Sequence, residues 1–255
     1  MKRTLLAAGL ALALAGCGGG ASTDATDTTT TEPPAGTTAL SVYFLLDGKV
    51  WPVLRQVEEG AAVATAALVE LARGPTDEEQ AELGFETAFD LDEPPEGDAL
   101  AITDGVVRFE PSSPVALPEA GLAQLVYTLT QFATVDTVEI AGELYTRADF
   151  ESLTPAVLVE SPRFFEDVGN PARATGTANT FEATFQYELT DTDGRIVDEG
   201  FVTATSGSGE RGTFDFTTDE YEIPFDGVGA LFVFELSAED GSRINLVEIP
   251  VRMSR

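Results

Sequence analysis

Apolar residues follow two different rhythms along this chain. Val42, Tyr43, Phe44, Leu45 and Leu46 form a β-rich run closed by Asp47-Gly48, and residues 50–57 read as the returning strand of a hairpin. The period then changes. Val63, Ala67 and Leu71 recur at i, i+4 and i+8 with Ala64 and Leu68 beside them, which predicts a helix over 59–72. Gly74-Pro75 stops it. Thr76 and Glu79 have the spacing of a capping box, which predicts a second, short helix over 77–83. Residues 84–98 read as an acidic loop, 99–102 and 106–109 as a hairpin around Asp104-Gly105. Pro118 opens a further helix on which Leu122, Leu125, Val126, Leu129 and Phe132 share one face. That face is expected to pack on a sheet bearing Val42, Phe44 and Val138. Tyr127, Thr128 and Thr130 lie off the stripe and are the candidates for partner contacts. On this reading Tyr127→Ala costs less stability than Leu125→Ala.

From Thr154-Pro155 onward the helical period disappears. Phe181, Ala183, Phe185, Tyr187 and Leu189 alternate with polar residues, as on a strand buried on one face. Asp191-Thr192-Asp193-Gly194 turns the chain into 196–205, and Asp240-Gly241 turns it into 244–251. Residues 231–236 are apolar on both faces, so that strand is expected to be central. Short strands with regular turns predict a β-sandwich. The Asp191–Gly194 segment starts like a calcium loop, but Arg195, Ile196 and Val197 follow where oxygen ligands are needed, so a hairpin turn is the better account.

The first residues belong to neither rhythm. Lys2 and Arg3 precede an apolar stretch over 5–15 that ends at Leu14-Ala15-Gly16-Cys17. This is the layout of a secretory signal, and the stretch is too short to span a bilayer. A lone cysteine after Leu-Ala-Gly resembles the bacterial lipobox. That resemblance implies lipid attachment at Cys17 with cleavage before it. Residues 1–17 are therefore read as lipoprotein signal peptide. Residues 18–39, rich in Gly, Thr and Pro, are read as a disordered linker. Residues 40–153 form the first domain and 154–255 the second. The expected location is extracytoplasmic, on the outer face of a bacterial cell membrane.

Charge narrows the partners. Against 44 acidic residues stand 14 Lys and Arg, a net of −30. The acidity is spread over both halves, as expected of a solvated surface. No nucleic acid is expected as partner, because phosphate binding needs a basic face. Anionic lipid would repel the domains, leaving the lipid at Cys17 as the membrane contact. The chain has no histidine, and its one cysteine is Cys17. The commonest general base and a catalytic thiol are thus missing. Gly207-Ser208-Gly209 lacks the frame of a nucleophile elbow. No enzyme activity, cofactor or metal is expected.

Residues 40–153 resemble the GerMN domain of sporulation and spore-germination proteins. The resemblance rests on Val42-Tyr43-Phe44, Ala66-Ala67-Leu68 through Leu71, Gly74-Pro75-Thr76 with Glu79, Asp104-Gly105-Val106 and, above all, the run from Gln124 to Phe132. Ala141-Gly142 departs from it, since members often place Asn or Asp before that glycine. Residues 156–255 resemble the immunoglobulin-like domain of bacterial spore germination, through Ser161-Pro162, Pro171, Gly176, Phe181-Glu182-Ala183, Asp193-Gly194 and the run from Phe234 to Ser242. Together they imply an α+β GerMN-type domain followed by an all-β immunoglobulin-like sandwich, without catalysis. The implied role is a cell-surface lipoprotein that scaffolds other envelope proteins. An extracytoplasmic binding module for a small solute or cell-wall fragment is the alternative, and a deep apolar pocket would favour it.

Overall fold

The computed structural model describes residues 36–60, 62–91, 99–110 and 116–255. Strands β1 (Thr37–Leu46) and β2 (Lys49–Glu58) form a two-stranded hairpin. Its turn is set by Asp47 and Gly48, both left-handed at φ 51° and 72°, the geometry that matches strand twist in two-residue hairpins. Helix α1 (Val63–Arg73) buries Ala64, Ala67, Leu68 and Leu71 against this hairpin, and Gly74 caps it. It starts four residues later than the periodicity suggests. The Thr76–Glu79 capping box is present in both directions, with N–H to oxygen distances of 2.8 and 3.2 Å. It leads into a single π-helical turn, Glu79–Leu83, rather than an α-helix.

A second sheet holds β3 (Leu100–Thr103), β4 (Val106–Phe109), β5 (Thr137–Ile140) and β6 (Glu143–Tyr145) in that order. Strands β4 and β5 are parallel, and α2 (Glu119–Leu129) lies between them in the chain. Val42 and Phe44 therefore sit in a different sheet from Val138, not in one shared sheet as expected. Gly121 lets α2 approach the preceding loop closely: a Cβ there would lie 2.6 Å from the Ala88 carbonyl oxygen. A 3-10 segment, Arg147–Leu153, ends this half.

The second half is a sandwich. One sheet has three strands in the order β12-β9-β7, namely Gly212–Thr217, Arg173–Ala178 and Val157–Ser161. The other has five in the order β11-β10-β13-β14-β8, namely Ile196–Thr203, Thr184–Thr190, Gly227–Leu236, Arg243–Met253 and Glu166–Val168. Strand β13 is central, as its two apolar faces predict. Phe185 meets Phe214 across the sandwich at 4.9 Å between ring centres, and Tyr187 meets Phe216 at 4.5 Å. Gly176 makes room for this packing: a Cβ there would fall 2.0 Å from the Leu158 carbonyl oxygen and 2.8 Å from the Phe214 ring. The Asp191 carboxylate accepts from the N–H groups of Asp193 and Arg195, both at 3.0 Å, and so closes the β10–β11 turn. The strand expected from Phe181 begins only at Thr184. Phe181–Ala183 is a 3-10 turn with Glu182 and Ala183 left-handed, and it leaves Phe181 68% exposed.

Candidate functional site

The run from Gln124 to Gln131 explains itself once β1 is in place. Gln124, Thr128 and Gln131 follow at i, i+4 and i+7, so they share one side of α2 and its C-terminal turn. That side faces the open edge of β1. The Gln131 amide accepts from the Ser41 N–H at 2.7 Å and donates to the Ser41 carbonyl at 2.5 Å. The Thr128 hydroxyl accepts from the Tyr43 N–H at 3.0 Å, and the Gln124 amide donates to the Tyr43 carbonyl at 3.0 Å. One residue pair further along, Leu45 exchanges two backbone hydrogen bonds with Glu86, at 2.9 and 2.8 Å. Side chains of a helix thus take the place of a neighbouring strand. A buried strand edge needs such partners, because each unpaired backbone group costs about 1–3 kcal/mol. Gln124 also accepts from the Ala88 N–H at 2.7 Å, tying the loop into the same array.

This arrangement buries two of the three candidate partner contacts, Tyr127 and Thr128. Tyr127 is 1% exposed and Thr128 is fully buried. Thr130 is half-buried, donates to the Val126 carbonyl at 2.7 Å and accepts from the Arg147 Nε at 2.7 Å. A stripe reading assumes a helix with one buried side. Here α2 is enclosed by β1, α1 and the Arg147–Leu153 segment, so polar residues off the apolar stripe are buried too. Leu125 and Leu129 are buried as expected, whereas Leu122 and Phe132 are only partly so. Cys17 lies outside the described residues.

On its other flank α2 meets the sandwich. Tyr127 donates to the Thr154 hydroxyl at 2.6 Å, which in turn donates to the Phe150 carbonyl at 2.9 Å. The Arg147 guanidinium lies over the Tyr127 ring at 4.7 Å and near the Tyr43 ring at 5.6 Å. It reaches Glu160 of β7 at 2.7 Å, and the same carboxylate oxygen accepts from the Tyr43 hydroxyl at 2.5 Å. Burial, and next the Glu160 charge, push the Tyr43 phenol well above its ordinary value. Burial opposes the charge on Arg147, but Tyr43 and Glu160 outweigh it and its pKa is raised.

Further contacts fasten the two halves. Glu151 takes a bidentate ion pair from Arg211, at 2.8 and 2.9 Å, and a hydrogen bond from Asn179 at 2.8 Å. Burial of Glu151 is outweighed by these donors, so its pKa falls. Phe164 places its ring edge-on to Trp51 and Phe85, at 6.1 and 5.2 Å between centres. Arg163 reaches the Ser41 hydroxyl at 3.2 Å. Residue patterns announce none of these pairs. The one signal is arithmetic: with 14 bases among 44 acids, an arginine beside an aromatic cluster has many carboxylates to choose from.

Besides a smaller groove of about 310 Å³ along β10 and β11, the described residues form one small cavity and two open grooves. The cavity, between the sheets of the sandwich near Leu189 and Leu231, has a volume of about 10 Å³. One groove, about 570 Å³, runs between β2 and α1 past Val57, Ala66 and Val69. The other, about 510 Å³, lies where the π turn of the first half meets Phe164 and Phe165 of the second. Among the described residues no group of three or more His, Cys, Asp or Glu is placed to hold a metal ion. No helix among them is long and apolar enough to cross a membrane.

Residues 41–143 match the family described as sporulation and spore germination, and residues 156–242 match the immunoglobulin-like domain of bacterial spore germination. Among solved structures, the chain is similar to the tandem GerMN domains of the sporulation protein GerM from Bacillus subtilis, at 24% identity and a TM-score of 0.33, covering 45% of this chain and 42% of that one. The chain thus spans less than half of that protein's chain. It is also similar to CopC from Methylosinus trichosporium OB3b, at 14% identity and a TM-score of 0.26, covering 38% and 91% of the two chains. No curated protein matches it.

Proposed function

We propose that this chain, which joins a sporulation and spore germination domain to the immunoglobulin-like domain of bacterial spore germination, is a lipid-anchored, non-catalytic scaffold of the cell envelope. One observation carries the reading. The polar residues of the Gln124–Gln131 run and the Arg147–Glu160–Tyr43 group are all spent on holding β1 and the two halves together. These contacts fasten the two halves together, which suits a module that presents surfaces to other envelope proteins. The chemistry of the chain agrees: it has no histidine, and its lone thiol sits at Cys17 behind a lipobox. Such an anchor needs more than one acyl chain to hold firmly. The solute-binding alternative needs a deep, mostly apolar pocket of several hundred Å³; the cavity between the sheets, at about 10 Å³, is too small for a solute, and the grooves of about 510 and 570 Å³ are open and partly polar.

Fractionation of cells carrying wild type and Cys17→Ser tests the anchor. Wild type should pellet with membranes and the variant should not. Equal retention of both would remove the lipid from the proposal.

A further inference from the structure

We propose that the groove at the junction of the two halves is a docking site for an extended polypeptide segment that carries basic side chains among apolar ones. This rests on the scaffold reading and says where its partner binds. The groove exists only because both halves are present. Val53 and Leu54 of β2 with Thr76, Glu78, Glu79, Glu82 and Leu83 supply one wall, and Phe164, Phe165, Val228 and Arg252 the other. Its floor is apolar through Val53, Leu54, Leu83, Phe164 and Phe165. Its volume, about 510 Å³, would take several side chains and falls in the range of ordinary binding clefts.

Phe165 is the unusual member. Its backbone is left-handed at φ 58°, a strained conformation for a bulky residue. Its N–H donates to the Pro250 carbonyl at 2.7 Å, and its carbonyl accepts from Arg252. These bonds hold the backbone in that shape and leave the ring half-exposed at the groove. Among the described residues, the only cation lining the groove is Arg252, and it is already engaged, donating to that carbonyl and lying over the Phe165 ring at 5.6 Å.

Charge selects the occupant. Three glutamates line one wall, Glu78, Glu79 and Glu82. Glu79 is taken, held by Arg55 at 2.7 Å on both oxygens. Glu78 and Glu82 are exposed and carry no ion pair among the described residues. They are four residues apart and so stand near one another on the turn. Two free carboxylates above an apolar floor complement a cationic, apolar segment. A second copy of this chain, with its net charge of −30, would be repelled, as would an anionic lipid surface.

The test is fluorescence anisotropy on the purified full chain at about 0.15 M salt, where diffuse charge is largely screened. The probe is a labelled peptide of alternating Lys and Leu, with a Glu/Leu peptide as counterpart. One-to-one binding of the Lys/Leu peptide is expected, with none of the Glu/Leu peptide. The double variant Glu78→Gln/Glu82→Gln should weaken binding about tenfold or more, and Phe165→Ala should weaken it clearly. Glu220→Gln/Glu239→Gln, which removes the same charge elsewhere, should leave it within about twofold. Equal weakening by both double variants would overturn the proposal, because the attraction would then be diffuse acidity. So would binding indifferent to Phe165→Ala, or equal affinity for a small amphiphilic cation such as dodecyltrimethylammonium. None of these outcomes touches the anchor, which fractionation of Cys17→Ser decides separately.

Discussion

The two halves solve the same problem, a strand edge that must not be left bare, by different means. In the sandwich, strands pair with strands, and β10, β13 and β14 lie side by side in one ladder. In the first half the hairpin has only two strands, and the edge of β1 is closed by Gln124, Thr128 and Gln131. Backbone pairing tolerates many side chains, because every residue brings the same donor and acceptor. Side-chain pairing does not: it needs an amide or hydroxyl of the right length at each of three positions. The first half should therefore be the less forgiving of conservative polar substitutions, and the sandwich the less forgiving of added bulk.

The largest effect should come from Tyr127→Ala. It removes a buried ring and the partner of Thr154, so a loss of about 3–5 kcal/mol is expected in a denaturant melt. That is at least as large as for Leu125→Ala, the reverse of the order the helical stripe suggests. A Tyr127→Ala protein near wild-type stability would restore the surface assignment.

Gln124→Leu keeps the size of the side chain and removes its polarity. The Tyr43 carbonyl and the Ala88 N–H would both lose their partner, for a cost of about 2–5 kcal/mol. Amide exchange at Ala88 should quicken as well. An unchanged melt would mean that β1 does not depend on the helix to close its edge.

For the sandwich the matching test is Gly176→Ala. One methyl group meets the Leu158 carbonyl and the Phe214 ring at impossible distances, so a loss of about 1–3 kcal/mol is expected by calorimetry. Equal tolerance of alanine here and at Gly169, where a Cβ would stay 3.4 Å from its nearest neighbour, would argue against close packing of β9 on β7.

A smaller effect concerns acid. Burial alone would raise the pKa of Glu79, but hydrogen bonds from Arg55 and Thr76 outweigh it and hold the value down. The unfolded chain then binds this proton more readily than the folded one, so the stabilisation is present above the unfolded value of about 4.3 and fades as pH falls through the lower folded one. Glu79→Gln should cost about 1 kcal/mol at neutral pH. The gap between the two proteins should narrow as pH falls below about 4.3 and close once pH passes the lower folded value. A gap that persists there would mean that the carboxylate charge is not what matters.

The smallest expected change is a gain. Ala141 is left-handed at φ 53° in the β5–β6 turn, before Gly142. Asparagine tolerates that conformation better than alanine. Ala141→Asn should therefore add about 0.5–1 kcal/mol to the thermal stability of the first half, and leave any separate melting of the sandwich unmoved.

Much of this was readable from residues one neighbour at a time. The turns at Asp47-Gly48 and Asp104-Gly105, the Thr76–Glu79 cap, α1, the central place of β13 and the closing role of Asp191 all come from local rules. In each, the partners lie close in sequence or the apolar period marks burial directly. Strands β7, β8 and β9 went unread because they are short, and Gly176 and the threonines of β9 blur the alternation. Other features depend on residues far apart meeting. The sequence displayed Gln124, Thr128 and Gln131 on one helical side, but only the fold puts that side along the edge of β1, 85 residues away between Tyr43 and Thr128. It displayed Arg147 and Glu160, but only the docking of the halves brings them to 2.7 Å beneath the Tyr43 hydroxyl. The same docking decides that Tyr127 is interior and that a groove opens beside Phe165. Periodicity reports whether a residue is apolar. It does not report how many neighbours surround the helix that carries it, and for α2 that number decided which residues face solvent.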